Sequence, residues 1–260
     1  MLLGNGDGTF QPQVTYPTGS SPSALAVGDF NKDGKLDLAV ANCRCFSPGP
    51  STVSVLLGNG DGTFQNEVEF PAGESPIAIV TGDFNGDGNL DLAAVNYYGN
   101  NLSVLLGNGD GTFQKQVQYP TGPNPYKIEI ADFNRDGILD LVSNNFGDSS
   151  VSILLGNGDG TFRTKYDYSV SNGQNTGHFG GAVGDLNADG KLDLLIANSK
   201  DNSVSVLFGK GDGKFQSPVQ YTYAMSPEFV AVGDLNGDGR LDMVTTNGNN
   251  GQISVFLQTP

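Results

Sequence analysis

Apolar residues along this chain come in runs of four to six, cut by Gly, Asn and Asp, with no 3.6-residue period. Such runs are the signature of β-strands. One kind is rich in Leu and β-branched residues: 53–57, 102–106, 151–155, 204–208 and 253–257. A second kind leaves an Asp-rich segment, as at 36–41 and 192–197, and a third leads into it, as at 24–28 and 230–233. A fourth alternates after a Gly-rich turn, as in Phe64, Gln65, Val68, Glu69 and Phe70. Four short strands per unit, repeated, predict the blades of a β-propeller.

The unit repeats with a period near 50. LLGNGDGTF stands at 2–10, 56–64, 105–113 and 154–162, and becomes LFGKGDGKF at 207–215. A second motif, GDFNKDGKLDLAVAN, begins at Gly28, with relatives at Gly82, Ala131, Gly184 and Gly233. The expected fold is therefore all-β, a single five-bladed propeller of four-stranded antiparallel blades. The blades are expected at 18–70, 71–119, 120–168, 169–221, and 222–260 completed by 1–17. Residues 10–16 read as a fourth strand and 253–257 as a third. This predicts a ring closed within one blade by both ends of the chain. The alternative is five blades of a larger ring, which would elongate or associate in solution.

Between the first two strands of each unit lies Asp-x-Asn-x-Asp-Gly-x-x-Asp. The five sets are Asp29/Asn31/Asp33/Asp37, Asp83/Asn85/Asp87/Asp91, Asp132/Asn134/Asp136/Asp140, Asp185/Asn187/Asp189/Asp193 and Asp234/Asn236/Asp238/Asp242. Oxygens at positions 1, 3 and 5 can converge if the loop curls, and Gly at 6 permits the turn. A carbonyl at 7 can join them, and the Asp at 9 can bind through both oxygens. Six or seven oxygens on a flexible loop suit Ca²⁺ better than Mg²⁺, so up to five Ca²⁺ are expected. An EF-hand is excluded: it needs Glu at position 12, where this chain has Val40, Ala94, Ser143, Ile196 and Thr245, and its flanks are helices. Isolated Asp, Asn and Gly make turns, but five copies keeping the same positions while the intervening residues vary point to a ligand set. The GNGDG segments read as hairpin turns rather than phosphate loops, which open helices and, in the Walker form, carry Gly-Lys-Ser/Thr.

Charge sharpens this picture. The formal net charge is −15, and 20 of the 28 acidic residues lie in the five loops and the five turns. Without cations, three carboxylates crowd each loop; five Ca²⁺ would bring the formal charge to −5. So acidic a chain is no candidate for nucleic acid, which needs clustered Lys and Arg. No apolar stretch reaches membrane-helix length. Two Cys and one His exclude a disulfide scaffold and a His/Cys metal site. Cys43 and Cys45 lie in an insertion at 42–51, where a strained disulfide and two free thiols are both open.

The blade with this Asp loop, together with SVLLGNGDGTF, resembles the FG-GAP/VCBS repeat family, which includes the propeller head of integrin alpha subunits and secreted bacterial repeat proteins. The resemblance covers nearly the whole chain. It implies that the five Asp loops hold calcium, with added carbonyls from Lys35, Asn89, Ile138, Lys191 and Arg240. Rings in that family often have six to eight blades. Its members act in adhesion, as lectins and as modules on polysaccharide-degrading enzymes, which implies a binding surface without naming the ligand.

Specificity is expected where the repeats differ. Tyr97, Tyr98, Tyr126, His178 and Phe179 are the candidate ligand contacts, the last three just before innermost strands. Aromatic side chains on loops can stack on sugar rings. A lone His at a channel mouth can act as a general base, which would suit a polysaccharide lyase, but no motif marks a nucleophile. The expectation is a calcium-stabilised extracellular binding or adhesion module, not an enzyme and a monomer, whose partner is a glycan or a cell-surface protein. The alternative is a passive scaffold within a larger secreted protein.

Overall fold

The computed structural model describes residues 1–44, 51–171, 178–222, 226–248 and 251–259, with backbone alone for His178 and Phe179. The described residues form five β-sheets and no helix. Blade one is β1 (Pro22–Gly28), β2 (Asp37–Asn42), β3 (Thr52–Leu56) and β4 (Val68–Pro71). Blade two is β5 (Pro76–Gly82), β6 (Asp91–Asn96), β7 (Asn101–Leu105) and β8 (Val117–Pro120). Blade three is β9 (Pro125–Ala131), β10 (Asp140–Asn145), β11 (Ser150–Leu154) and β12 (Tyr166–Ser169). Blade four is β13 (His178–Gly184), β14 (Asp193–Asn198), β15 (Ser203–Leu207) and β16 (Val219–Tyr221). Blade five is β17 (Pro227–Gly233), β18 (Asp242–Asn247) and β19 (Gln252–Phe256). Strands pair antiparallel in chain order within each blade, as a propeller requires.

Strand alternation sends side chains to both faces of each blade, so the core lies between blades. Ala26, Phe30, Val53 and Val55 of blade one pack on Ile79, Leu92, Leu105 and Phe113 of blade two. Equivalent clusters join blades two to three, three to four and four to five. The inner strands follow one another as β1, β5, β9, β13 and β17. Second strands such as β6 and β14, buried along their whole length, read as near-continuous apolar runs because a neighbour covers each face.

Among the described residues the expected closure is not formed. Blade five has three strands, and residues 10–16 make no strand there. The hairpin 4–10 instead sits beside blade one, with Tyr16 edge-on to Phe64 at 5.4 Å. Among the described residues four cores join five blades and none joins blade five to blade one, so these residues form an open arc. Its end faces show this directly. Val53 and Val55 are buried, while their counterparts Ile253 and Val255 are 66% and 49% exposed. Ile79 is buried, while its counterpart Leu25 is 61% exposed. A cut through a tandem repeat makes its ends complementary whether or not they meet, so the pattern alone could not decide closure.

The topology also sorts the loops. The Asp loops and the GNGDG hairpins share one rim of the arc. The turns between second and third strands, and the links from one blade to the next, share the other. Cys43, at the end of β2, is buried and disulfide-bonded; Cys45 and the rest of the insertion to residue 50 lie outside the described residues. Because Leu92 is sealed between two blades and Leu25 is not, Leu92→Ala should cost about 2–5 kcal/mol in urea unfolding. Leu25→Ala should cost within about 0.5 kcal/mol; equal losses would mean that the ring closes over Leu25.

Candidate functional site

Each Asp loop is built by its own side chains. In the first, Asp29 Oδ2 accepts a hydrogen bond from Gly34 N at 2.8 Å, Asn31 Oδ1 accepts one from Asp33 N at 3.1 Å, and Asp33 Oδ1 accepts one from Lys35 N at 2.9 Å. The same bonds recur for Asp83, Asn85 and Asp87, and for Asp132, Asn134 and Asp136. They recur again for Asp185, Asn187 and Asp189, and for Asp234, Asn236 and Asp238. The N–H groups of Lys35, Asn89, Ile138, Lys191 and Arg240 thus turn toward the position-5 carboxylate. Position 4 is left-handed in every copy, even as Lys32, Arg135 and Ala188 (φ 59°, 63° and 54°). Non-glycine residues pay strain there, so side-chain bonding over-determines this backbone. Backbone N–H donors hold Asp33, Asp87 and Asp234 below the usual carboxylate range. For Asp189 the Lys191 side chain is the larger cause.

The Asp at position 9 behaves differently. Asp37, Asp91, Asp140, Asp193 and Asp242 are all buried. Asp91 Oδ2 accepts from Phe84 N at 2.8 Å, and Oδ1 from Gly107 N at 2.7 Å. Asp37 does the same with Phe30 N and Gly58 N, and Asp140 with Phe133 N and Gly156 N. Asp193 takes Leu186 N and Gly209 N, and Asp242 takes Leu235 N and Gln258 N. Both oxygens therefore tie the start of the Asp loop to the segment that follows the third strand. Burial pushes Asp91 and Asp140 up to about 6 and raises Asp193, against the pull of these amide bonds. Spacing could not separate this clamp from a metal ligand, because both uses place an Asp at position 9. The donor set of each loop is oxygen only and fits a hard cation. Among the described residues no three acidic, His or Cys side chains close into a metal cage.

The GNGDG segments are turns. Asn59 N donates to Thr63 O at 2.9 Å, and Asp61 Oδ1 accepts from Thr63 N and Oγ1 at 2.9 and 2.6 Å. The first Gly is fixed by close approach: a Cβ on Gly58 would lie 2.2 Å from the Leu36 carbonyl oxygen.

On the opposite rim the structure gathers Tyr97, Tyr98, Tyr126 and Phe146. Tyr97 stands 5.0 Å from Tyr98, 6.3 Å from Tyr126 and 6.5 Å from Phe146, ring centre to ring centre. Lys200 Nζ lies 6.0 Å over the Phe146 ring. Tyr97 is partly buried and its hydroxyl is raised by desolvation, whereas Tyr98 is exposed. The side chains of His178 and Phe179 lie outside the described residues. Phe146 and Lys200 join the cluster from neighbouring turns that single-repeat reading does not bring together.

The FG-GAP-like repeat model matches residues 1–40, 45–94, 83–143, 132–196 and 185–245. The chain belongs to this family. No curated protein sequence matches it significantly. Solved structures share its fold. One is an Agrocybe aegerita lectin that recognises non-reducing terminal N-acetylglucosamine, 22% identical over 98% of this chain and 73% of that one, at a TM-score of 0.62. Another is a Lactobacillus plantarum protein, 13% identical over 98% and 76%, at 0.65. A third is the Pseudomonas aeruginosa periplasmic gluconolactonase, 20% identical over 91% and 69%, at 0.58.

Two polar features of this FG-GAP chain escaped its motifs. Asn at the end of each second strand donates to the Ser of the third, as Asn42 to Ser54 at 2.8 Å and Asn198 to Ser205 at 2.8 Å. Glu129, on β9, alternates with Ile128 and Ile130, which face blade two. It therefore faces blade four. Its Oε1 is shielded and has no hydrogen-bond partner, as has buried Asn144 nearby on β10. Desolvation pushes the Glu129 carboxyl up to about 7. A raised folded-state value means that folding favours the protonated acid. Stability is full below the unfolded value near 4.5 and falls as pH rises through about 7. Glu129→Gln should remove that fall, leaving the variant about 2–3 kcal/mol more stable than wild type at pH 9 relative to pH 4.5 in denaturant titrations. Parallel pH curves would refute the assignment.

Proposed function

We propose that this chain is a calcium-stabilised extracellular module that binds a glycan, without catalysis, on the rim opposite its Asp loops. The aromatic cluster of Tyr97, Tyr98, Tyr126 and Phe146 carries this reading. Sugar rings present apolar C–H faces that stack on aromatic rings, with hydroxyls left for polar partners. Tyr hydroxyls and the Lys200 ammonium supply such partners beside the rings. The cluster is drawn from blades two, three and four, and so depends on the blades keeping their mutual positions. A lectin among the structures that share the fold is consistent with this use; the likeness itself supports the fold alone.

Calcium in the Asp loops supports the module from the far rim and makes no contact with the sugar. Positions 1, 3 and 5 bring only oxygen donors to each loop, and those oxygens keep lone pairs beyond the amide bonds they accept. The position-9 carboxylate, held by two N–H groups, braces the loop from behind. At submicromolar calcium, loops of extracellular affinity would stay largely empty, which fits an extracellular setting.

Two measurements test the reading. With a Kd of ~0.1 mM in ~1–2 mM calcium, each filled loop adds roughly 1.5 kcal/mol, and five add roughly 7 kcal/mol. Excess chelator should therefore lower the melting temperature by roughly 15 °C; an unchanged value would remove calcium from the account. A glycan array in millimolar calcium should give a hit that Tyr98→Ala weakens about tenfold, or ~1.4 kcal/mol, with no change in melting. A blank array from folded protein would leave the passive-scaffold reading.

A further inference from the structure

Among the described residues, three of the four joints between blades are apolar at the centre of their inner strands. Ala26 and Ala41 of blade one meet Ile79 of blade two. Val80 and Val95 of blade two meet Ile128 of blade three, and Ala182 and Ala197 of blade four meet Val230 of blade five. The joint between blades three and four departs from this pattern at all three positions. Glu129 and Asn144 stand on the blade-three side, and Gly181 stands where blade four should supply the aliphatic side chain. A Cβ on Gly181 would lie 2.9 Å from Asn144 Nδ2, so the amide leans into the place of the missing side chain.

This centre is polar without being satisfied. Asn144 is fully buried, and neither its Oδ1 nor its Nδ2 has a hydrogen-bond partner; nor has the shielded Oε1 of Glu129. The charge nearest Glu129 is Lys127 on its own strand, which draws the carboxyl down, but burial outweighs it and pushes the group up to about 7. From the packed elements, β10 faces it with Val142 and Asn144, β13 with Gly181 and Val183, and β14 with Leu194 and Ile196, none of them charged. The side chain of His178, at the start of β13, lies outside the described residues.

Parting an apolar joint exposes hydrocarbon to water, which opposes it. Parting this one hydrates groups that are costly to bury unpaired, which favours it. The two rims do not resist equally. On the Asp-loop rim, Phe215 packs on Phe133 and Tyr168 at 5.5 and 5.8 Å, and Gly213 N donates to Phe133 O at 3.3 Å. The same hairpin ring seals the two preceding joints, as Phe113 on Phe30 and Phe70, and Phe162 on Phe84 and Tyr119. On the opposite rim the joint is spanned by Lys200 of blade four, whose Nζ lies 6.0 Å over the Phe146 ring of blade three. Phe146 is only two residues beyond Asn144.

We propose that this joint is a proton-gated hinge, closed while Glu129 is neutral and opened toward the opposite rim when Glu129 ionises, carrying Lys200 away from Phe146. The carboxylate needs water far more than the neutral acid does, and water reaches it by parting β9 from β13. The Phe215 seal is the pivot. Because Phe146 and Lys200 belong to the rim cluster, ionisation loosens that cluster whatever it holds. The inference stands on the joint and is independent of the calcium and glycan readings.

Paired spin labels read the hinge directly. Asp148→Cys and Asp201→Cys place labels on the opposite-rim turns of blades three and four. Tyr98→Cys and Asp148→Cys span the apolar joint between blades two and three as a control. In constant millimolar calcium, raising the pH through about 7 should move the pair at 148 and 201 to longer distances. The longer population should rise roughly fivefold between pH 6 and 7, following the ionised fraction of Glu129. The control pair should not move. Glu129→Gln, which cannot ionise, should keep the pair at 148 and 201 short throughout. So should the triple change Glu129→Ala, Asn144→Ala and Gly181→Ile, which copies the joint of Ala26, Ala41 and Ile79 and keeps a packed centre. A pair at 148 and 201 that ignores pH, an equal shift in the control pair, or a shift that survives Glu129→Gln would each overturn the proposal.

Discussion

The buried carboxylate at position 9 of each Asp loop is the interaction on which the rest depends. A carboxylate out of water is costly unless its oxygens are bonded. Here each oxygen takes one backbone N–H, and the two donors come from segments that share no strand: the turn after the first strand and the segment leaving the third. In blades one to four that second segment is the GNGDG hairpin, whose opening Gly sits so close to the loop that a Cβ would overlap its carbonyl oxygen. The loop cannot shift without the hairpin, and the hairpin carries the ring that seals the boundary with the preceding blade. One Asp per blade therefore couples a local turn to the packing between blades.

That packing is a sum of nearest-neighbour contacts, as in other repeat proteins. Each blade is apolar on both faces and is covered only where another blade stands beside it. Blades two, three and four are covered twice; blades one and five are covered once. The same repeat position therefore has opposite surroundings at the two ends, as Val53 against Ile253 shows. Sequence identity between repeats is not energetic identity: a substitution costs what its neighbour makes it cost.

Much of the fold was legible because its signals are local. Asn-Gly and Asp-Gly between alternating runs specify hairpins through backbone angles, and the structure forms each of them. The pitch near 50 residues placed the blades, and the Asp loops lie where their motif put them. What was not legible depends on distance in space. Asp91 and Asp87 look alike in the motif, yet one is sealed behind the loop and the other is exposed. Phe146 and Lys200 belong to different repeats and meet Tyr97 and Tyr126 only through the curvature of the arc. Glu129 occupies an ordinary strand position, and only its neighbours make it a desolvated acid. Closure was beyond reach for a related reason: every blade boundary uses the same residues, so the sequence of one boundary does not reveal whether the last one forms.

The two rims differ for a physical reason. An Asp loop must keep its residues at 1, 3, 5, 6 and 9 to form its turns and its clamp, which leaves little freedom for recognition. The opposite rim carries no such demand, since a turn between second and third strands needs only to reverse the chain. It can therefore hold Tyr97-Tyr98 in one blade, Phe146 in the next and Lys200 in the one after. Variation collects where backbone geometry is least constrained, so side chains can change there without disturbing the clamps. A ligand spanning those turns would in turn hold blades two, three and four together, adding to the same inter-blade contacts that the clamps maintain from the other side.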